Sequence, residues 1–156
     1  MEIVILIGLQ AAGKSTFYQA HCAHTHEHVS KDLLRNNKRP AQRQSQLIEE
    51  ALQAGRSVVV DNTNPSPEDR AQLIHLGRQY GAEIVGYYFE PQVKQSLERN
   101  RQRAGKARVP DVAIFATRKK LTRPTYAEGF DKLYSVRSGQ DTLFEIVDWA
   151  GDDVID

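Results

Sequence analysis

Gly8, Gly13, Lys14 and Ser15 stand in the pattern Gly-x-x-x-x-Gly-Lys-Ser, spelled here Gly8-Leu9-Gln10-Ala11-Ala12-Gly13-Lys14-Ser15. Glycines at those places let the main chain bend around phosphate oxygens, so that backbone N–H groups point inward and the next helix adds its dipole. Lys14 is then expected on the β- and γ-phosphates of a nucleoside triphosphate, and the Ser15 hydroxyl on Mg²⁺. The candidate ATP contacts run from Gly8 through Ala11, Ala12, Gly13, Lys14 and Ser15 to Thr16.

Three further groups could act on a phosphate held there. In Ser30-Lys31-Asp32-Leu33-Leu34-Arg35, Asp32 and Arg35 share a helix face. A carboxylate there could take the proton from an acceptor hydroxyl, and an arginine beside it could grip an acceptor phosphate. An acid at a helix start with a surface ion-pair partner is the alternative, and position in the fold is the argument for catalysis. Asp61-Asn62-Thr63-Asn64-Pro65 follows three valines. An acid ending such a strand is placed to organise Mg²⁺, while the two asparagines offer donors and acceptors to a substrate and are also good turn residues. Arg99 to Arg108 is basic, contains Gly105 and ends before Pro110. It reads either as a mobile lid that brings Arg101 and Arg103 over the triphosphate or as a solvated helix end.

The elements that must position these groups alternate along the chain. Glu2-Ile3-Val4-Ile5-Leu6-Ile7, His28-Val29-Ser30, Ser57-Val58-Val59-Val60 and Glu83 to Phe89 are predicted strands, with Lys132 to Val136 and Thr142 to Val147 completing the sheet. Between them helices are expected from Lys14 to about His24, from Ser30 to a break at Pro40, from Ala41 to Ala54, from Pro67 to Tyr80, from Pro91 to Arg103 and from Pro110 to Leu121. The order predicts an α/β chain, a mainly parallel sheet with helices on both faces and a basic helical lid at about 99–123. Ligands of such folds bind beyond the carboxyl ends of the strands, where every group named above falls.

With 156 residues, 40% of them apolar, the chain suffices for a single domain, 1–156. The lone Cys22 forms no internal disulfide, and no run approaches a membrane span or a secretion signal, so a cytoplasmic setting is expected. A net charge of +1 excludes a broad nucleic-acid-coating surface, but it averages a basic stretch over 99–123 with an acidic tail of Asp141, Glu145, Asp148, Asp152, Asp153 and Asp156. His21, His24, His26 and His28 with one thiol lack a zinc spacing, so no structural zinc is expected. Tyr87, Tyr88, Phe89 and Trp149 read as packing residues rather than base platforms.

Taken together, Gly8 to Thr16, Val29 to Arg35, Asp61 to Pro65, Arg99-Asn100-Arg101-Gln102-Arg103, Val109-Pro110-Asp111 and Pro124-Thr125-Tyr126-Ala127-Glu128-Gly129-Phe130 resemble the kinase domain of 5′-hydroxyl polynucleotide kinases. The order and rough spacing match over residues 2 to about 136. The resemblance implies the P-loop NTPase fold and transfer of the ATP γ-phosphate to a 5′-OH end of DNA or RNA. It implies Asp32 as general base, Arg35 on an acceptor phosphate, Arg103 as the lid arginine, and Asp61 and Asn64 near metal and acceptor. No Asp-x-Asp-x-Thr phosphatase motif occurs, so a kinase alone is expected. With little basic surface outside the lid, a short single-stranded end or a mononucleotide is the expected acceptor. A kinase of nucleosides or other small molecules, and a nucleotide-dependent switch, are the competing expectations.

Overall fold

The computed structural model describes residues 1–138 and 144–149. Among these residues six strands form one sheet, in the spatial order β2-β3-β1-β4-β5-β6. The strands are β1 (Glu2–Ile7), β2 (Glu27–Val29), β3 (Val58–Asp61), β4 (Glu83–Phe89), β5 (Lys132–Ser138) and β6 (Phe144–Asp148). The first five run parallel and β6 returns antiparallel on β5. The helices are α1 (Lys14–His21), α2 (Pro40–Gln53), α3 (Pro67–Gln79), α4 (Val93–Arg101) and α5 (Asp111–Lys120). None is long and apolar enough to cross a membrane.

Strand β1 is buried on both faces, and its alternation divides the core in two. Ile3, Ile5 and Ile7 join Ile48 and Leu52 of α2 and Leu73 and Ile74 of α3. Val4 and Leu6 join Phe17 and Tyr18 of α1. Helices therefore cover both faces, as the run of β-branched residues predicts. Parallel pairing sets Leu6 opposite Asp61 and Val29 opposite Val60, so the carboxyl ends of β1, β2 and β3 come out side by side.

The segment after β2 departs from expectation. Instead of an α-helix from Ser30 to Pro40, a single 3₁₀ turn spans Lys31–Leu34, with the Ser30 hydroxyl accepting from the Asp32 N–H at 3.2 Å. Leu33 is exposed and Asn36, Asn37, Lys38 and Arg39 offer no apolar face to dock, and a helix that short is not stable unpacked. Pro40 does not end a helix but opens α2, and Arg39 before it is outside the helical region, as the residue before proline prefers. Of the last expected strand, Thr142 and Leu143 lie outside the described residues, as do Asp141, Asp152, Asp153 and Asp156 of the acidic tail.

Candidate active site

The phosphate loop leaves β1 under tight restraint. The Gly8 N–H donates to the Thr63 carbonyl at 3.0 Å, and a Cβ on Gly8 would lie 2.8 Å from that of Phe89, so only glycine fits without a shift. Ala11 and Gly13 take φ of 56° and 95°, the alternation that turns successive N–H groups into an anion-binding concavity. Lys14 closes the loop from inside, donating to the carbonyls of Gly8 at 3.1 Å and Leu9 at 2.5 Å. Burial pushes its ammonium down to about 8, with Arg103 adding to the depression while Asp61 and Asp32 partly offset it. A buried cation short of counter-charge is the electrostatic condition for receiving phosphate.

Helix α1 begins at Lys14, so Ser15 sits in its first turn and reaches β3. Its hydroxyl donates to Asp61 Oδ2 at 2.7 Å, and His28 Nε2 meets the same oxygen at 2.7 Å. Burial alone would raise the Asp61 carboxyl, yet the hydrogen bonds from His28 and Ser15 and the charge of Lys14 outweigh it and hold Asp61 below the usual carboxylate range. An ionised carboxylate beside a hydroxyl is a hard oxygen donor set that suits Mg²⁺. The residues present thus fit the metal expected of them, with Ser15 and Asp61 to hold it.

From the loop a cleft of about 480 Å³ extends past the ends of β3 and β2 to α2, α3 and the segment after α4. Lys14, Ser15, Asp32, Asp61, Arg103 and Lys106 line it, so the expected base, phosphate ligands and lid cation share one space. The Asp32 carboxylate stands at the rim, its side chain 88% exposed. Arg35 is not in the wall: its Nε donates to the Asp32 carbonyl at 3.0 Å, and its guanidinium stands 3.9 Å from the Asp32 carboxylate. Arg101 also lies off the cleft, 3.8 Å from Asp111, whereas Arg103 lines it.

Asn64 lines the cleft and also takes a structural post. Its Nδ2 donates to the Leu6 carbonyl at 2.8 Å, its φ of 43° is left-handed, and it is buried. One N–H of the amide thereby ties the end of β1 to the Asp61–Pro65 loop. Nearby Asn62 ties its loop to two other elements, accepting from the Lys31 N–H at 2.9 Å and donating to Gln44 of α2 at 2.7 Å. This side chain thus helps to fix the turn that carries Asp32 to the rest of the cleft.

Several residues that the sequence reading passed over hold the site. Arg70 of α3, wholly buried, bonds the Glu128 carboxylate at 2.8 and 3.2 Å and the carbonyls of Asn64 and Thr122 at 3.1 and 3.0 Å. Glu128 in turn accepts from the Thr125 N–H at 2.9 Å, so the Pro124–Phe130 motif serves to anchor the Asp61–Pro65 loop from behind. Asn100, also wholly buried, exchanges two hydrogen bonds with the main chain of Val109 at 2.6 and 3.0 Å and closes the base of the basic loop. Gln10 of the phosphate loop donates to Thr117 of α5 at 2.9 Å, joining loop and lid helix. An isolated Asn or Gln, or an arginine inside an ordinary helix, carries no sequence signal of such work. The histidines part ways: His26 meets Glu2, His28 meets Asp61, and His21 lies against Phe17. Among the described residues no three His, Cys, Asp or Glu side chains converge as a metal cluster.

The sequence is 27% identical over 139 residues to the bifunctional polynucleotide phosphatase/kinase of Schizosaccharomyces pombe, a match covering 86% of this chain and 33% of that protein. It is 29% identical over 138 residues to the L-seryl-tRNA(Sec) kinase of Methanococcus maripaludis, covering 78% of this chain and 53% of that one. The chain spans about a third of the length of the polynucleotide phosphatase/kinases it matches. Among solved structures a fungal RNA kinase superposes with a TM-score of 0.70 at 16% identity, over 90% of this chain and 76% of the other, and a gluconokinase from Sinorhizobium meliloti with 0.65 at 18%, over 90% and 85%. These likenesses agree with the α/β fold and the phosphate loop described above. The AAA domain family profile matches residues 3–124, and the chain belongs to that family of P-loop nucleotide-binding domains.

Proposed function

We propose that the chain transfers the γ-phosphate of ATP, with Mg²⁺, to the 5′-hydroxyl end of a DNA or RNA strand. The observation that carries this is the shared cleft, in which the exposed carboxylate of Asp32 stands at the rim of the space that holds Lys14, Ser15 and Arg103. The likeness to polynucleotide phosphatase/kinases over 86% of the chain supports the choice of acceptor.

The acceptor hydroxyl enters on the Asp32 side. Asp32 accepts its proton as the oxygen bonds to the γ-phosphorus and the bond to the β-phosphate oxygen breaks, releasing ADP. Lys14 exchanges the carbonyls of Gly8 and Leu9 for phosphate oxygens, and its ammonium regains its ordinary charge there. Arg103 comes from the lid to the charge that develops on the transferred group. Mg²⁺, when bound, neutralises and orients the phosphates. Arg35, at the mouth beside Asp32, serves the first acceptor phosphate. The same reading takes 1–156 as one catalytic domain that works in the cytoplasm.

Incubation with γ-labelled ATP and a panel of 5′-OH single strands, duplex ends and nucleosides tests the proposal. Labelled oligonucleotides are expected, and their absence with a protein that still binds ATP would sink it. The neutral and acidic wall of Gln44, Ser45 and Glu68 favours a second reading, a smaller acceptor such as a nucleoside. Preferential labelling of free nucleosides would select that reading, and ATP hydrolysis that survives Asp32→Ala would point to a nucleotide switch.

A further inference from the structure

We propose that His28 is the positioning residue of the metal-organising carboxylate, holding Asp61 in place when Mg²⁺ takes the Ser15 hydroxyl away from it. The inference rests on the Mg²⁺ reading of Ser15 and Asp61. Asp61 Oδ2 accepts two hydrogen bonds of 2.7 Å, one from Ser15 and one from His28. A hydroxyl that turns to a metal leaves the first bond. The second would then be the restraint that keeps the Asp61 carboxylate in place for the metal.

The ring is itself held on one face. It stacks on Tyr18 with centroids 4.2 Å apart and an interplanar angle of 16°. Tyr18 is fixed in turn, its hydroxyl donating to the His26 carbonyl at 2.7 Å. Beneath the ring, the backbone of His28 is in parallel register with Val59 of β3, two residues before Asp61. A carboxylate oxygen can only accept, so Nε2 is the donor in this bond. Strand β2 thus delivers a donor of fixed direction to the end of its neighbour. Partners of metal-organising groups cost about 10–100-fold in metal affinity when lost.

Two substitutions separate this role from simple packing. His28→Phe keeps a ring against Tyr18 and removes the donor. His28→Gln puts an amide N–H at nearly the reach of Nε2. Binding of a fluorescent ATP analogue, measured in EDTA and across a Mg²⁺ titration, is the first readout. In EDTA both variants are expected within twofold of the parent. With His28→Phe the Mg²⁺ concentration for half-maximal effect is expected to rise at least about tenfold, and His28→Gln to recover most of that loss.

A Mg²⁺ dependence within twofold of the parent in His28→Phe, or no recovery in His28→Gln, overturns the proposal. The unsubstituted protein supplies a test that needs no variant: nitrogen NMR of the His28 ring is expected to show a proton on Nε2 both free and with Mg²⁺·ATP. Loss of that proton from Nε2 on metal binding also overturns it. If Mg²⁺ leaves nucleotide affinity unchanged in the parent, the metal reading fails instead, which keeps the two failures apart.

Discussion

Arg70 and Glu128, 58 positions apart in the chain, meet through a two-point grip at 2.8 and 3.2 Å, with the arginine side chain wholly buried. The pair fastens α3 to the Thr125–Glu128 turn, and its remaining donors hold the carbonyls of Asn64 and Thr122. Removing one partner leaves a charge in the interior without compensation. Arg70→Met is therefore expected to cost about 3–5 kcal/mol in unfolding free energy, read from urea denaturation. Arg70→Lys, a point charge without the planar fork, should recover less than half of that.

Asp32 stands at the opposite extreme, exposed and free of the packing that Arg70 serves. Asp32→Asn should thus leave the thermal midpoint within about 1 °C. Its effect falls on chemistry, with kcat expected to drop by about 10²–10⁴ if the carboxylate is the general base. Nucleotide affinity from equilibrium binding should stay within twofold. A variant that loses affinity and rate in equal measure would assign Asp32 to binding instead.

Lys14 links nucleotide binding to pH. Its folded value of about 8 lies below the ordinary 10.5, so between these values the unfolded chain holds more protons. Stability of the nucleotide-free protein should accordingly rise with pH through that window, as far as this group decides, and the cost of burying the ammonium is felt in full below it. Phosphates favour the charged form, so nucleotide binding above pH 8 is expected to take up a proton. Calorimetry at pH 8.5 in two buffers of different ionisation enthalpy should show heats that differ accordingly. Equal heats would place the Lys14 ammonium fully charged before binding.

Asn100 bonds Val109 through both ends of its amide and closes the loop that carries Arg103 and Lys106. With Asn100→Ala the Val109 N–H and carbonyl lose their partners, at about 1–3 kcal/mol for a buried polar pair left unmade. Trypsin should then cut between Arg101 and Arg108 several-fold faster than in the parent. Nucleotide protection against that cleavage is expected to weaken. Unchanged cleavage would mean that the loop is held by other contacts.

What the chain determined by itself was whatever is local. The phosphate loop is one strand, one loop and one helix within residues 2–21, and the identity of each residue follows from bending a main chain around an anion. Strand β1 was legible because burial on both faces demands an unbroken apolar run, and α3 because Ser66, Pro67 and Asp69 spell its start. The turn at Asp32 was misread because helix signals there lack an apolar face, which only the absence of a docking surface reveals. Tertiary structure decided the rest. His28 reaches Asp61 because β2 lies next to β3, and Asn64 and Arg70 became struts because a buried donor must find an acceptor wherever the fold supplies one. Sheet order and the pairing of buried polar groups join residues tens of positions apart, and no spacing rule in a single chain records them.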